Sequence, residues 1–407
     1  MRRKPLFPPP HEGGSGKRLR NKGRQSRQVL TILGRVKLVR RWWYSPAAGS
    51  MAPADPFIDP ELQSVSPGAR EMACRLNNDG TSFDKTAENL CRTALIKMSG
   101  EQLRQVVLTE GRNVLAAQRV NAIPTAFQAK ECKIAGDRTR IYTGCDGVMV
   151  PLITDAEKQR RRKKVCEKRQ KCGRKCRPLP PRKRGADLSF KEFKAIVFYD
   201  ETGKHWHEVL SRGKRRTAGA LVRREAQRLG FCQANERIAN VDGASWIRRQ
   251  LEEQPLPLSG LGLDFYHLGE NVHRCRRAVF GETAPEGTAW AGDLMQSFKH
   301  QSYEATWEKL VAWRATLRSP QKRAVADRLL NYVSERRDMI NYPEFLAKGW
   351  QIGSGPTESR CKTSTSRLKG RGRRWDAPHA EAVAALTTLQ DSHQWHLYWG
   401  TSSGQTT

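Results

Sequence analysis

Apolar residues recur along this chain with two periods, near 2 and near 3.6, and the places where the period changes mark its elements. Leu30 and Ile32, then Val36 and Leu38, alternate with other residues around Gly34, as two short strands joined by a turn would. Residues 1–28 lack any apolar period and are rich in Arg, Lys, Gly, Pro and Gln, which predicts a disordered basic arm that touches phosphate without reading bases. Residues 29–59 read as the short hairpin followed by a Pro/Ala/Gly-rich linker. Over residues 60–130 the period is helical. Ser66 and Pro67 supply an N-cap and a first-turn proline, after which Ala69, Met72, Ala73 and Leu76 share one face. Phe83, Ala87, Leu90 and Ala94 repeat the pattern. Ser99 and Gln102 have capping-box spacing ahead of Leu103, Val106 and Val107, with Gly111 as that helix's stop. Three short helices fit a helix-turn-helix DNA-binding domain, and equally a plain small bundle.

From residue 136 onward strands and helices alternate. Arg140 to Leu152 is rich in strand formers, and Ala195 to Tyr199 and Trp206 to Leu210 give two more strands around a turn at Glu201 to Lys204, an antiparallel meander. Thr217 to Leu229 is helical. Arg237 to Asp242 is a short strand with a helix from Ala244 to Leu251, and the pattern recurs at Leu261 to Asp264 with a helix from Tyr266 to Val279. The expected organisation is an α/β core in two parts, residues 136–283 and 346–392, around a helical insertion at 284–345, with a tail at 393–407. Residues 156–186 interrupt the core: between Glu157 and Gly185 there are 15 Lys or Arg and two acids, with Pro178, Pro180 and Pro181 near the end, which predicts a flexible basic loop.

Charge narrows the class. The 407 residues carry 73 Lys and Arg against 41 Asp and Glu, a formal charge of +32, which calls for a polyanion, most simply nucleic acid. At 38% hydrophobic the chain can build packed cores, and it has neither a signal-type apolar segment nor a run of 18 apolar residues, so a cytoplasmic protein without membrane contact is expected. Ten cysteines in such a setting are expected to be reduced. Cys166, Cys172 and Cys176 have spacings that match no zinc knuckle, so free thiols are expected there.

Three acids stand out against this background. Asp146 lies amid strand formers, where a buried unpaired carboxylate is costly; Asp146-Gly147 is also a strong hairpin-turn signal. Asp242 ends a strand, where α/β proteins place their ligands, though it can simply cap the next helix. Glu358 falls in the first turn of a helix begun by Gly353-Ser354-Gly355-Pro356-Thr357, where the dipole favours negative charge. After it Arg360, Lys362, Arg367, Lys369, Arg371, Arg373 and Arg374 occur without an intervening acid, and Trp375 ends the run. Carboxylates beside a basic strip suit phosphodiester chemistry at a pair of divalent ions, and Mg²⁺ prefers such oxygen ligands.

With these residues in view the chain resembles a DDE transposase of the Kra-type insertion-sequence family, related to the Mutator-like group. The match is carried by Cys145-Asp146-Gly147-Val148 with Pro151, Val241 to Ile247, Leu263-Asp264-Phe265-Tyr266-His267, Gly353 to Ser359, and Arg367 to Gly372 with Trp375, and it covers about Gln28 to Leu389. The resemblance implies a ribonuclease-H-like core with a helical insertion, preceded by a small helical DNA-binding domain. It implies that Asp146, Asp242 and Glu358 are the catalytic acids and hold Mg²⁺ or Mn²⁺, two ions in all, with Asp264 and His267 in support. The basic strip from Arg360 to Trp375 is then expected to bind DNA. Where relatives carry a Cys-x-x-Cys knuckle, this chain has Tyr44 to Gly49, which speaks against a structural zinc. His267 is left between a positioning role and simple packing.

The expected function is Mg²⁺-dependent cleavage at the ends of an insertion sequence and transfer of the 3′-hydroxyl to target DNA. Its partners are terminal inverted repeats, target DNA and further copies of the chain. Two rivals stay open: a basic nucleic-acid-binding protein whose acids are only caps and turns, and a nuclease that cuts without joining.

Overall fold

The hairpin proves longer than the apolar period marks. In the computed structural model, which describes residues 19–46, 49–55, 64–176, 187–253 and 256–403, β1 (Arg20–Thr31) and β2 (Gly34–Ser45) form an antiparallel ribbon, and β3 (Gly49–Met51) pairs with the end of β2. Residues 20–28, expected as disordered arm, are therefore strand. A ribbon open to water on one face needs no apolar residues there, because the backbone ladder holds it. Residues 1–18 of the expected arm and 56–59 of the expected linker lie outside the described residues.

Helices α1 (Pro67–Asn78), α2 (Phe83–Ala94) and α3 (Gly100–Arg119) follow, with Ser66 and Ser99 accepting the N–H of Ala69 and Gln102 as N-caps. Gly111 does not stop α3. A β-carbon there would lie 2.2 Å from the carbonyl oxygen of Ala382, so the glycine admits a later helix instead.

After β4 (Arg140–Pro151) comes α4 (Asp155–Lys171), which corrects the expectation of a flexible loop over 156–171. Its charges suit a helix by position: Thr154 caps it, Asp155 and Glu157 sit in the first turn, and Lys168, Arg169 and Lys171 in the last. The turn beyond it returns Cys176 to Cys166, and the two form a disulfide, against the expectation of free thiols; Cys172 is free and exposed. Residues 177–186 of the expected loop lie outside the described residues.

The remaining elements are β5 (Phe190–Asp200), β6 (Trp206–Ser211), α5 (Arg215–Arg228), β7 (Glu236–Val241), α6 (Ser245–Glu253), β8 (Gly260–Leu263) and α7 (Phe265–Phe280). Then come α8 (Pro285–His300), α9 (Tyr303–Thr316), α10 (Pro320–Ser334), α11 (Tyr342–Ala347), α12 (Gly355–Ser364), α13 (Ser366–Lys369), α14 (Ala377–Asp391) and α15 (Trp395–Ser403). Of the expected tail, residues 404–407 lie outside the described residues. The main sheet runs β6-β5-β4-β7-β8, with β4, β5 and β6 an antiparallel meander and β7 and β8 parallel to β4. This mixed α/β order is compatible with the ribonuclease-H-like arrangement expected.

Two cores hold it. One joins the sheet to α5, α6, α7 and the helices of the 285–347 region through Tyr142, Phe198, Ile238, Leu268 and Leu294. The other joins Val148, Val150 and Phe193 to α1, α2, α3 and α14 through Leu90, Val106 and Leu386. Helix α12 packs on β4 and β5. Among the described residues no helix is long and apolar enough to cross a membrane.

Candidate active site

Asp146 lies within β4, not in a turn: pairing with β5 continues from Ile141 opposite Asp200 to Pro151 opposite Phe190. Asp242 follows the last residue of β7, where its Oδ1 accepts the Ala244 N–H at 2.8 Å. On these neighbouring parallel strands Thr143 stands opposite Ala239, and each acid lies three residues further on, so both reach the same level, at the carboxyl end of β7. They also share a face. The Tyr142 hydroxyl accepts the Gln351 N–H at 3.2 Å, the Asn240 side chain donates to the Gln351 carbonyl at 2.8 Å, and Gly144 lies against Thr357. Alternation along a strand puts Asp146 and Asp242 on that same side. Burial raises the Asp242 carboxyl above its ordinary range and the charge of Asp146 raises it further, against the Ala244 N–H, His267 and Arg336, which lower it.

Glu358 reaches this side on α12, whose start is stitched to the sheet. Buried Asp264 ends β8 and caps α7. Its Oδ1 accepts the His267 N–H at 2.7 Å and faces His267 Nδ1 at 3.2 Å, and its Oδ2 accepts the Ser354 N–H. Burial opposes ionisation of Asp264, but these donors outweigh it and hold the carboxyl at about 2. The hydrogen bond to Asp264 lifts His267 to about 9 against burial, with the charges of Asp264, Glu270 and Glu358 adding to it. Glu358 Oε1 then lies 3.5 Å from His267 Nδ1 and accepts the Ser354 hydroxyl at 3.2 Å. Asp264 is thus a clamp between β8 and α12, and a protonated His267 bridges it to Glu358.

Further along α12 Cys361 is buried near Asp146, and burial followed by the charge of Asp146 pushes its thiol up. The same helix therefore carries Glu358 to Asp264 and His267 and Thr357 to Gly144. The ligand atoms that come within 4.8 Å of one another as a set of three, among the described residues, are those of Asp264, His267 and Glu358; Asp146 and Asp242 are not in that set. The donor chemistry of Asp146, Asp242 and Glu358 nevertheless suits Mg²⁺ or Mn²⁺: all are hard oxygens, and the charge of Asp146 is close enough to raise the Asp242 carboxyl.

Arg336, just beyond α10, is a residue the sequence did not single out. It donates to the Gly243 carbonyl from Nε and Nη2 at 3.1 and 2.9 Å, stacks 4.0 Å from the centre of the Tyr332 ring, and lowers the Asp242 carboxyl. It ties the inserted helices to the turn that carries Asp242. A lone arginine in a helical segment gives no signal of this.

The basic strip divides. Lys362, Lys369, Arg371 and Arg374 are exposed. Arg360 lies over the Trp206 ring, Arg373 donates to the Arg367 carbonyl, and Arg374 donates to the Leu152 carbonyl and pairs with Glu157. Arg367 is only 3% exposed, donates to the Asn77 carbonyl and side chain at 3.0 and 3.1 Å, and sits between the Phe83 and Trp375 rings. Trp375 is buried too, with its indole N–H on the Leu368 carbonyl. Burial takes Arg367 and Trp375 out of reach of a duplex and makes them part of the packing between α1, α2 and α13.

No protein-family model matches this chain, and no curated protein does. Among solved structures it is similar to one described as the Drosophila P element transposase strand transfer complex, at 9% identity and a TM-score of 0.36, over 80% of this chain and 91% of that one.

Proposed function

We propose that this chain is a DDE transposase with a ribonuclease-H-like core, cutting the ends of an insertion sequence and joining them to target DNA. The observation that carries the reading is that Asp146, within β4, and Asp242, just past the end of β7, lie at one level and on one face of neighbouring parallel strands, and α12, which bears Glu358, lies across that face. Asp146, Asp242 and Glu358 would hold divalent ions, Mg²⁺ or Mn²⁺. Such ions, when bound, neutralise charge on a scissile phosphate and acidify an attacking water or 3′-hydroxyl. Asp264 keeps His267 protonated, and His267 holds the Glu358 carboxylate toward the strand ends. Arg336 ties the turn at Gly243 to the inserted helices, so that Asp242 is held in register with them. The excess of 32 positive charges suits a substrate whose backbone is a polyanion, and two DNA ends held together call for more than one copy of the chain.

One observation favours the rival of a non-catalytic DNA-binding protein: Asp242 and Asp264 both serve as helix or turn caps. The test separates the two. Purified protein with labelled terminal inverted repeats and Mg²⁺ should nick the ends and yield strand-transfer products, and Asp146→Asn should bind the same ends without cutting. Products from neither protein would leave the binding protein as the better reading, equal products from both would sink the assignment of Asp146, and nicks without joined products would favour a plain nuclease.

A further inference from the structure

The β1–β2 ribbon has a face that the proposed chemistry does not use. Between Arg20 and Ser45 there are eight Lys or Arg and no acid. Two of them, Arg27 and Arg40, are neutralised by the buried Asp55, which pairs with both. The opposite face is open. On it Arg24 stands opposite Arg41, Ser26 opposite Val39 and Gln28 opposite Lys37, and all six side chains are exposed. Directly opposed residues of an antiparallel pair, and residues two apart on one strand, point the same way. Arg35, opposite Leu30, is exposed as well, but Leu30 is buried against Val65, so the open stretch ends before it. Among the described residues none of Arg24, Arg35, Lys37 and Arg41 has an acidic partner.

Opposed like charges weaken a strand pair. Exposed cations also keep sheet edges from pairing with other chains, but that role needs single charges at an edge and does not call for Arg24 facing Arg41 across the ladder. The arrangement makes sense when an anion lies over the ribbon. Its layout is that of a reader: cations at both ends, with a glutamine, a serine and a valine between them. Gln pairs bidentately with adenine, Ser bonds to any base edge and an aliphatic group contacts the thymine methyl, all from the major groove, which admits a two-stranded ribbon. From Lys37 to Arg41 the patch is about 14 Å long, room for roughly four base pairs.

We propose that this open face, with Arg24, Lys37 and Arg41 on phosphates and Gln28 on a base edge, docks in the major groove of duplex DNA. The choice of DNA rests on the reading above; the contact itself uses none of the acids. Duplex RNA is disfavoured because its deep, narrow major groove does not admit a ribbon.

The test uses the full-length chain without divalent metal and a fluorescent 30-base-pair DNA duplex of mixed sequence, with anisotropy read across a salt series. The triple variant Arg24→Gln/Lys37→Gln/Arg41→Gln should flatten the slope of log affinity against log salt by about 3 and weaken binding at least about tenfold at low salt. Arg24→Lys/Arg41→Lys, which keeps the charge, should retain the slope. The triple variant should melt no lower than the parent, since it relieves repulsion, so misfolding is separable from lost contact. An unchanged slope overturns the proposal, as does an equal loss for a duplex RNA of the same length. If the parent never cuts DNA while the slope still falls, the catalytic reading fails and the ribbon stands.

Discussion

Thr357 occupies the space that a side chain on Gly144 would need: a β-carbon on the glycine would lie 2.0 Å from Thr357 Oγ1. That contact sets the height of α12 over β4 and with it the place of Glu358, one residue on. Gly144→Ala forces α12 outward, a change that overpacking makes worth about 1–3 kcal/mol of stability. Cleavage should fall at least tenfold more than DNA affinity does. An alanine variant with the parent's melting temperature and activity would show that α12 does not depend on this contact.

Asp242 is destabilised as a free carboxylate, first by burial and then by Asp146. Asn at this position keeps an acceptor for the Ala244 N–H and removes the charge. In metal-free buffer Asp242→Asn should therefore melt no lower than the parent, although it should lose cleavage. With Mg²⁺ the parent should gain thermal stability by mass action and the variant should gain less. Calorimetry of both proteins with and without Mg²⁺ checks this, and identical Mg²⁺ shifts would remove Asp242 from the ion site.

How far the sequence revealed this arrangement depends on how local each cause is. The caps at Ser66 and Ser99 and the strand rhythm of Arg140 to Leu152 act within a few residues and were legible. Asp146-Gly147 was ambiguous because a local turn signal competed with a strand partner, Ala195, far along the chain. Gly111 was misleading because a helix breaker and a helix crossing ask for the same residue, and Ala382 decides which. The first half of the expected basic loop is a helix because charge near its ends matches the dipole, and a count of like charges does not register position. Asp264 could be read as a cap, but its second role, holding the Ser354 N–H that starts α12, spans 90 residues and has no sequence signature.

Glu225 gives a pH dependence remote from the candidate site. Burial raises its carboxyl, but His207 at 2.9 Å, Arg228 and Arg224 outweigh burial and hold it at about 2. The folded value lies below the unfolded one of about 4.3, so the stability it contributes is present above that pH and is lost as pH falls toward 2. Its loss is worth on the order of 3 kcal/mol. Glu225→Gln should lower the melting temperature at pH 7 and show a shallower decline between pH 5 and pH 2 than the parent. Parallel melting curves for the two proteins over that range would contradict the role given to Glu225.

The division of the basic strip predicts that its arginines are not interchangeable. Arg367 keeps the Asn77 carbonyl satisfied in a buried place and fills the gap between two aromatic rings. Arg367→Met preserves most of the stem but leaves that acceptor short of its donor, a loss of about 1–3 kcal/mol, and the salt slope of DNA binding should not change. Lys369 and Arg371 are exposed on the same run. Lys369→Gln/Arg371→Gln should leave the melting temperature as it was and, if the strip grips phosphate, flatten the salt slope by about 2. Measuring both quantities on both variants tells packing from contact: a slope that falls with Arg367→Met would place a buried guanidinium on the DNA and overturn the division, because a side chain 3% exposed reaches a phosphate only if α13 moves.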